Sequence, residues 1–152
     1  MNTKTRAATD AACDLVLSSN DAARLEILAY EESTILRKLI LDKLEKSELV
    51  SSDRLTPDIA TIGSVLLYRI GAGKTERRTL SLPEVSYTNG QFINILTPIG
   101  IALLGRRAGS CFAVSVHDGS ALKVQLLKVE FQPEAEARMR SRFLSETRLE
   151  RC

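Results

Sequence analysis

Few residues of this chain have the types and spacing that chemistry needs. Gly71-Ala72-Gly73-Lys74-Thr75 ends like a phosphate-binding loop. The full pattern requires a glycine five positions before Gly73, and Tyr68 stands there. It also requires a following helix whose free N–H groups hold the phosphate. Glu76–Leu82 reads instead as a strand, so a hairpin turn is the better account. His117, the single histidine, lies beside Asp118, with Ser115 and Ser120 near it. No Gly-x-Ser-x-Gly elbow accompanies them, and a turn supplies neither desolvation nor an oxyanion hole. Cys111 opens a strand and reads as a small core residue, not a nucleophile. The residues therefore point to no catalytic site, no metal site and no cofactor.

The charged residues say more about partners. Glu31-Glu32 is an adjacent carboxylate pair that could share a divalent cation with a partner's site. Two glutamates in a loop are equally well explained by solvation. Arg77-Arg78 and Arg106-Arg107, with Arg69 and Lys74, make the middle of the chain basic. Neighbours on a strand point to opposite faces, so Arg77 and Arg78 cannot share one patch by themselves. From Asn20 to Asp58 six Lys/Arg face nine Asp/Glu, a net −3. From Ile59 to Pro133 eight face four, a net +4. An acidic first part precedes a basic body.

The elements that must position these residues follow from composition and pattern. At 152 residues with 44% hydrophobic content the chain fills one main core. With 5% aromatics and no Trp that core is aliphatic. Cys13, Cys111 and Cys152 form no CxxC pair, and an odd count suits a reducing compartment. No apolar run approaches the ~20 residues of a membrane span. A cytoplasmic protein without a membrane partner is the expectation.

Residues 1–12 read as a mobile end. Leu15-Val16-Leu17 reads as a short strand. Ser19 or Asn20 can cap a first helix with Ala22, Leu25, Leu28 and Ala29 on one face. Ser33 or Thr34 can cap a second helix carrying Leu36, Leu39, Ile40 and Leu44. The two form a short hairpin within 13–57, its tip at Glu31–Thr34. From Thr61 the period becomes strand-like, with Val65–Arg69 and Thr75–Leu82 paired through the glycine turn. Asn89-Gly90 is a turn signal before a third strand at Phe92–Leu96. Thr97 caps and Pro98 opens a short helix that Gly105 ends. Cys111–Val116 and Leu122–Phe131 complete a β-β-β-α-β-β body over 58–135. The fold class is α+β, a helical hairpin beside a curved antiparallel sheet around one short helix. Residues 136–152 form a tail of helical composition.

Several separated stretches resemble one family. "TPIGIALLGRRAGSCFAVSV" (97–116) and "LKVQLLKVEFQPEA" (122–135) are similar to the C-terminal domain shared by the Gre transcription elongation factors and the Rnk regulators of nucleoside diphosphate kinase. "LVLSSNDAARLEIL" (15–28) resembles the opening strand and first helix of that family. "LEKSELVSSDRLTPDIATIGSVLLYR" (44–69) resembles its second helix and entry into the sheet. The resemblance implies an FKBP-like C-terminal domain below a helical hairpin. It implies RNA polymerase as partner, touched at the rim of the secondary channel, with nucleic acid met only through polymerase. The polymerase-contact segment of the family falls on Leu96, Thr97, Pro98 and Ile99, where Leu96 replaces the Gre aspartate. In Gre factors a long coiled coil carries an acidic tip to the polymerase metal site, which cleaves backtracked RNA. Here Glu31 and Glu32 occupy the tip of a much shorter arm, without the Gre acidic spacing. The implied activity is regulation by competition with Gre factors, without stimulated cleavage. A peptidyl-prolyl isomerase and a direct regulator of nucleoside diphosphate kinase are the alternatives.

Overall fold

The structure is a computed structural model that describes residues 15–85, 90–116 and 118–151. The expected mobile end at 1–12, Cys13, Asn89, His117 and Cys152 lie outside the described residues.

Strand β1 (Val16–Ser18) leads directly into helix α1 (Ser19–Glu31). The cap is Ser18, one residue earlier than the expected Ser19 or Asn20. Its hydroxyl accepts a hydrogen bond from the Asp21 N–H at 3.0 Å. Ala22, Leu25 and Ala29 are buried on one face, as the helical period requires. Helix α2 (Thr34–Lys46) starts after Ser33, whose hydroxyl makes no capping bond. Ile40 is buried while Leu39 remains 38% exposed. The two helices pack together as the hairpin. Strand β2 (Glu48–Val50) then pairs parallel to β1, so the chain enters and leaves the hairpin through one clasp.

The body is a five-stranded sheet. Strands β3 (Val65–Ile70), β4 (Glu76–Ser81), β5 (Phe92–Asn94), β6 (Cys111–Ser115) and β7 (Ala121–Phe131) stand in the order β5-β4-β3-β7-β6. The element order agrees with the pattern, but the sheet is mixed, not antiparallel. β5 runs parallel to β4, with Thr79 opposite Phe92 and Ser81 opposite Asn94. β5 is therefore not the hairpin partner of β4, because a two-strand hairpin is antiparallel.

Helix α3 (Pro98–Leu103) lies against the inner face of the sheet. Leu103 is fully buried there with Leu66, Tyr68, Leu80, Val124 and Leu126. Helix α4 (Pro133–Arg151) follows β7 directly and turns the tail into a 19-residue helix. Gln132, just before it, donates its amide to the Thr56 and Ile59 carbonyls, 2.8 Å each. Glu134 accepts from the Thr61 hydroxyl at 2.8 Å. The "QPEA" stretch thus pins the end of the last strand to the loop that enters the first. Gly63, at φ +98°, passes so close that a Cβ there would stand 2.8 Å from Pro133 Cγ.

Candidate functional site

The segment leading into α3 is held by its own side chains. Asn94 closes β5, and its Oδ1 accepts the Leu96 N–H at 2.9 Å. The Asn94 carbonyl accepts the Thr97 hydroxyl at 2.8 Å and the Thr97 N–H at 3.1 Å. Thr97 Oγ1 in turn accepts the Gly100 N–H at 3.0 Å, which makes Thr97 the N-cap and leaves Pro98 at the start of the helix. Gly100 has no alternative: a Cβ there would collide with the Asn94 carbonyl. Leu96, Thr97, Pro98 and Ile99 all stay half-buried, a stiff apolar corner with one side presented outward.

The end of α3 is where helix α2 attaches. Lys43 is 7% exposed, and its ammonium donates to the Leu104 carbonyl at 2.7 Å and the Ala102 carbonyl at 3.3 Å. These are the last carbonyls of α3, which no intrahelical partner satisfies. Arg106 Nε also donates to Ala102 O at 3.3 Å, and its guanidinium lies 4.1 Å from the Phe112 ring centroid. Burial, with Arg106 nearby, lowers the Lys43 pKa to about 7. Arg107 pairs instead with Asp58 at 3.3 Å. Gly105, at φ +87°, ends the helix and donates to the Ala60 carbonyl, while its own carbonyl accepts the Val16 N–H at 2.9 Å. The root of the hairpin is therefore stitched to the end of α3.

The other helix of the hairpin has its own anchor. Asp21 is 1% exposed, and its Oδ2 accepts the Ile62 N–H at 3.0 Å. Burial raises its pKa to about 6, against the opposing pull of that backbone hydrogen bond.

Between α2, α3 and β6 these residues leave a cleft of about 380 Å³, lined by Pro98, Lys43, Lys46, Arg106 and Ser115 among others. The structure thus brings Pro98 beside the root of the hairpin. It does not bring Glu31 and Glu32 there. The helix from Lys43 back to Thr34 spans about 14 Å, and the tip lies beyond it. Glu31 is exposed and Glu32 half-buried. Arg37 braces this tip by donating to the Ala29 carbonyl at 2.8 Å and the Glu32 carbonyl at 3.1 Å. Among the described residues, no group of three or more His, Cys, Asp or Glu is placed to hold a metal ion. The glutamate pair lacks a third donor of its own.

Residues 55–131 match the family model for the C-terminal part of the transcription elongation factors GreA/GreB. The chain belongs to the GreA/GreB family. The match contains the whole Leu96–Ile99 corner and ends just before α4. The Escherichia coli K12 regulator of nucleoside diphosphate kinase is 29% identical over 126 residues, covering 80% of this chain and 92% of that protein. The Shigella flexneri protein of the same name gives the same figures. The solved structure of a prokaryotic elongation factor GreA/GreB from Nitrosomonas europaea superposes with a TM-score of 0.64 at 31% identity, over 78% of this chain and 98% of that one. This GreA/GreB relative and the Rnk regulators are thus spanned nearly end to end. Among the described residues, no helix is long and apolar enough to cross a membrane.

Sequence reasoning placed the Thr97-Pro98 cap correctly and missed Asp21 and Lys43 as anchors. Neither spacing nor composition signals that a charged residue is buried by a distant segment.

Proposed function

We propose that the protein binds RNA polymerase at the rim of the secondary channel, with Leu96, Thr97, Pro98 and Ile99 as the contact corner. The hairpin would enter the mouth of the channel and stop there. The observation that carries this reading is the length of the hairpin within a GreA/GreB-family chain. Each helix has 13 residues, an arm of about 20 Å. The resemblance to Gre factors implies a longer coiled coil for a tip that reaches the polymerase metal site. Glu31 and Glu32 on this arm stay short of it. The protein then occupies the site of the Gre factors without assisting cleavage, and works where polymerase is, in the cytoplasm. It needs no cofactor and meets nucleic acid held in the transcribing complex.

The test is retention of the purified chain on immobilised core polymerase, with Pro98→Asp as the comparison. Retention that added Gre factor displaces, and that Pro98→Asp reduces at least tenfold, is the expected result. Absence of retention refutes the reading. The name of the Escherichia coli relative favours a second reading, direct binding to nucleoside diphosphate kinase. Retention on that kinase but not on polymerase would replace the first reading with the second.

A further inference from the structure

The glycine turn at 71–75 and the arginines of the sheet lie outside the proposed Leu96–Ile99 contact corner. Their placement defines a second surface. The inner face of the sheet buries Leu66, Tyr68, Leu80, Val124 and Leu126. The two-residue period of a strand sends their neighbours to the other side. On that outer side, Leu67 of β3 stands opposite both Arg77 of β4 and Lys128 of β7. Arg69 stands opposite Gln125 and bonds it at 3.0 Å. Lys123 lies two residues along β7, opposite Ala113. Lys74 is exposed in the turn, which the Gly71 N–H ties to the Lys123 carbonyl at 2.7 Å. Arg78, by contrast, pairs with Leu66 on the inner side and donates to Glu76 and the Gly90 carbonyl. On these strands the outer side carries one carboxylate, Glu130, which pairs with Arg77 at 2.6 Å.

The cations therefore follow one line. It starts at Lys74 and Lys123, passes Arg69, and reaches Lys128 and Arg77. Phe131 ends it, opposite Val65 and 42% exposed. From Lys123 to Phe131 the strand measures about 25 Å. We infer that this outer face binds single-stranded nucleic acid, the cations along the phosphate backbone and Phe131 under an unpaired base. A single row of cations suits one backbone, and an exposed ring stacks only on a base that is not already paired. The length suits a site at the small end of the roughly 4–16 nucleotides that single-strand-binding folds cover. Helix α3 lies on the opposite face, so this site and the Leu96–Ile99 corner are separate. The inference does not rest on polymerase binding.

The experiment is fluorescence anisotropy of the full chain, without polymerase, against labelled single strands of about 15 nucleotides and a matching duplex. The single strand should bind more tightly than the duplex. Four or five neutralised phosphates give a logarithmic salt slope near −3, about a 60-fold loss of affinity between roughly 50 and 200 mM salt. Lys74→Ser, Lys123→Ser and Lys128→Ser together should weaken binding more than tenfold and flatten the slope. Phe131→Ser should weaken it several-fold with the slope unchanged. No binding at the lower salt, equal binding by the triple variant, or a preference for duplex overturns the inference. Binding of polyglutamate but not of the oligonucleotide also overturns it, in favour of an acidic protein partner.

Discussion

Two buried charges, Asp21 and Lys43, fix the two helices of the hairpin to the body, and both sit at odds with their surroundings. The Asp21 carboxyl has a pKa of about 6 in the fold against an ordinary value of 3.8. Between those values the folded chain holds a proton that the unfolded chain has lost. Stability from this group is thus full below about pH 4 and falls as pH rises to 6. At neutral pH the buried charge costs about 3 kcal/mol by the size of the shift. Asp21→Asn keeps an oxygen for the Ile62 N–H and removes the charge. It should raise the melting temperature at pH 7 and lose its advantage toward pH 4; equal effects at both would show that the charge is not strained. Lys43 titrates at about 7 in the fold against 10.5 ordinarily. Here the unfolded chain holds the extra proton, so stability rises from pH 7 toward pH 10. Lys43→Met abandons two carbonyls, a loss of about 1–3 kcal/mol. That loss should be larger at pH 9 than at pH 6 in urea unfolding, because only at low pH does the native lysine carry its buried charge. The sequence shows neither strain, since both depend on segments 41 and 61 residues away.

Helix α3 was legible as an element because its signals are local. Thr97 and Pro98 start it, Gly105 ends it, and Leu103 and Leu104 fill the core, all within one short stretch. The neighbouring strands were less legible for the opposite reason. β5 reads as a strand from its own residues, yet it pairs parallel to β4. Nothing in a strand's own residues encodes the direction of its partner. β2 was hidden because Glu48-Leu49-Val50 continues the helical composition of α2, and only β1 makes it a strand. The Leu96–Ile99 corner inherits its stiffness from this arrangement, since Asn94 at the end of β5 supports Thr97. Gly100→Ala tests that support. Its methyl group would press on the Asn94 carbonyl, and backbone cannot yield as a side chain can. The expected cost is about 3 kcal/mol, at the upper end for overpacking. An unfolding midpoint unchanged from the parent would show that α3 slides freely on β5.

At the scale of the whole molecule, an acidic hairpin is fixed to a basic body. The hairpin is clasped by β1 and β2, anchored through Asp21 and Lys43, and braced at its tip by Arg37. An arm so held cannot lengthen to carry Glu31 and Glu32 further than its 13-residue helices allow. The family membership was legible because the motifs in 97–135 are packing devices that recur in order. The consequence of the short arm is a functional prediction. Stalled transcription complexes given this chain alone should show no faster RNA cleavage. Given a Gre factor as well, their cleavage should slow as this chain is added, since both would occupy one channel. Pro98→Asp should relieve that inhibition, because it alters the proposed contact corner and leaves the arm intact. Glu31→Ala with Glu32→Ala should leave the inhibition in place, because exclusion depends on occupancy and not on the tip carboxylates. The opposite pattern, cleavage accelerated by the chain alone and lost on removing the two glutamates, would mean that the tip reaches the metal site despite an arm of about 20 Å.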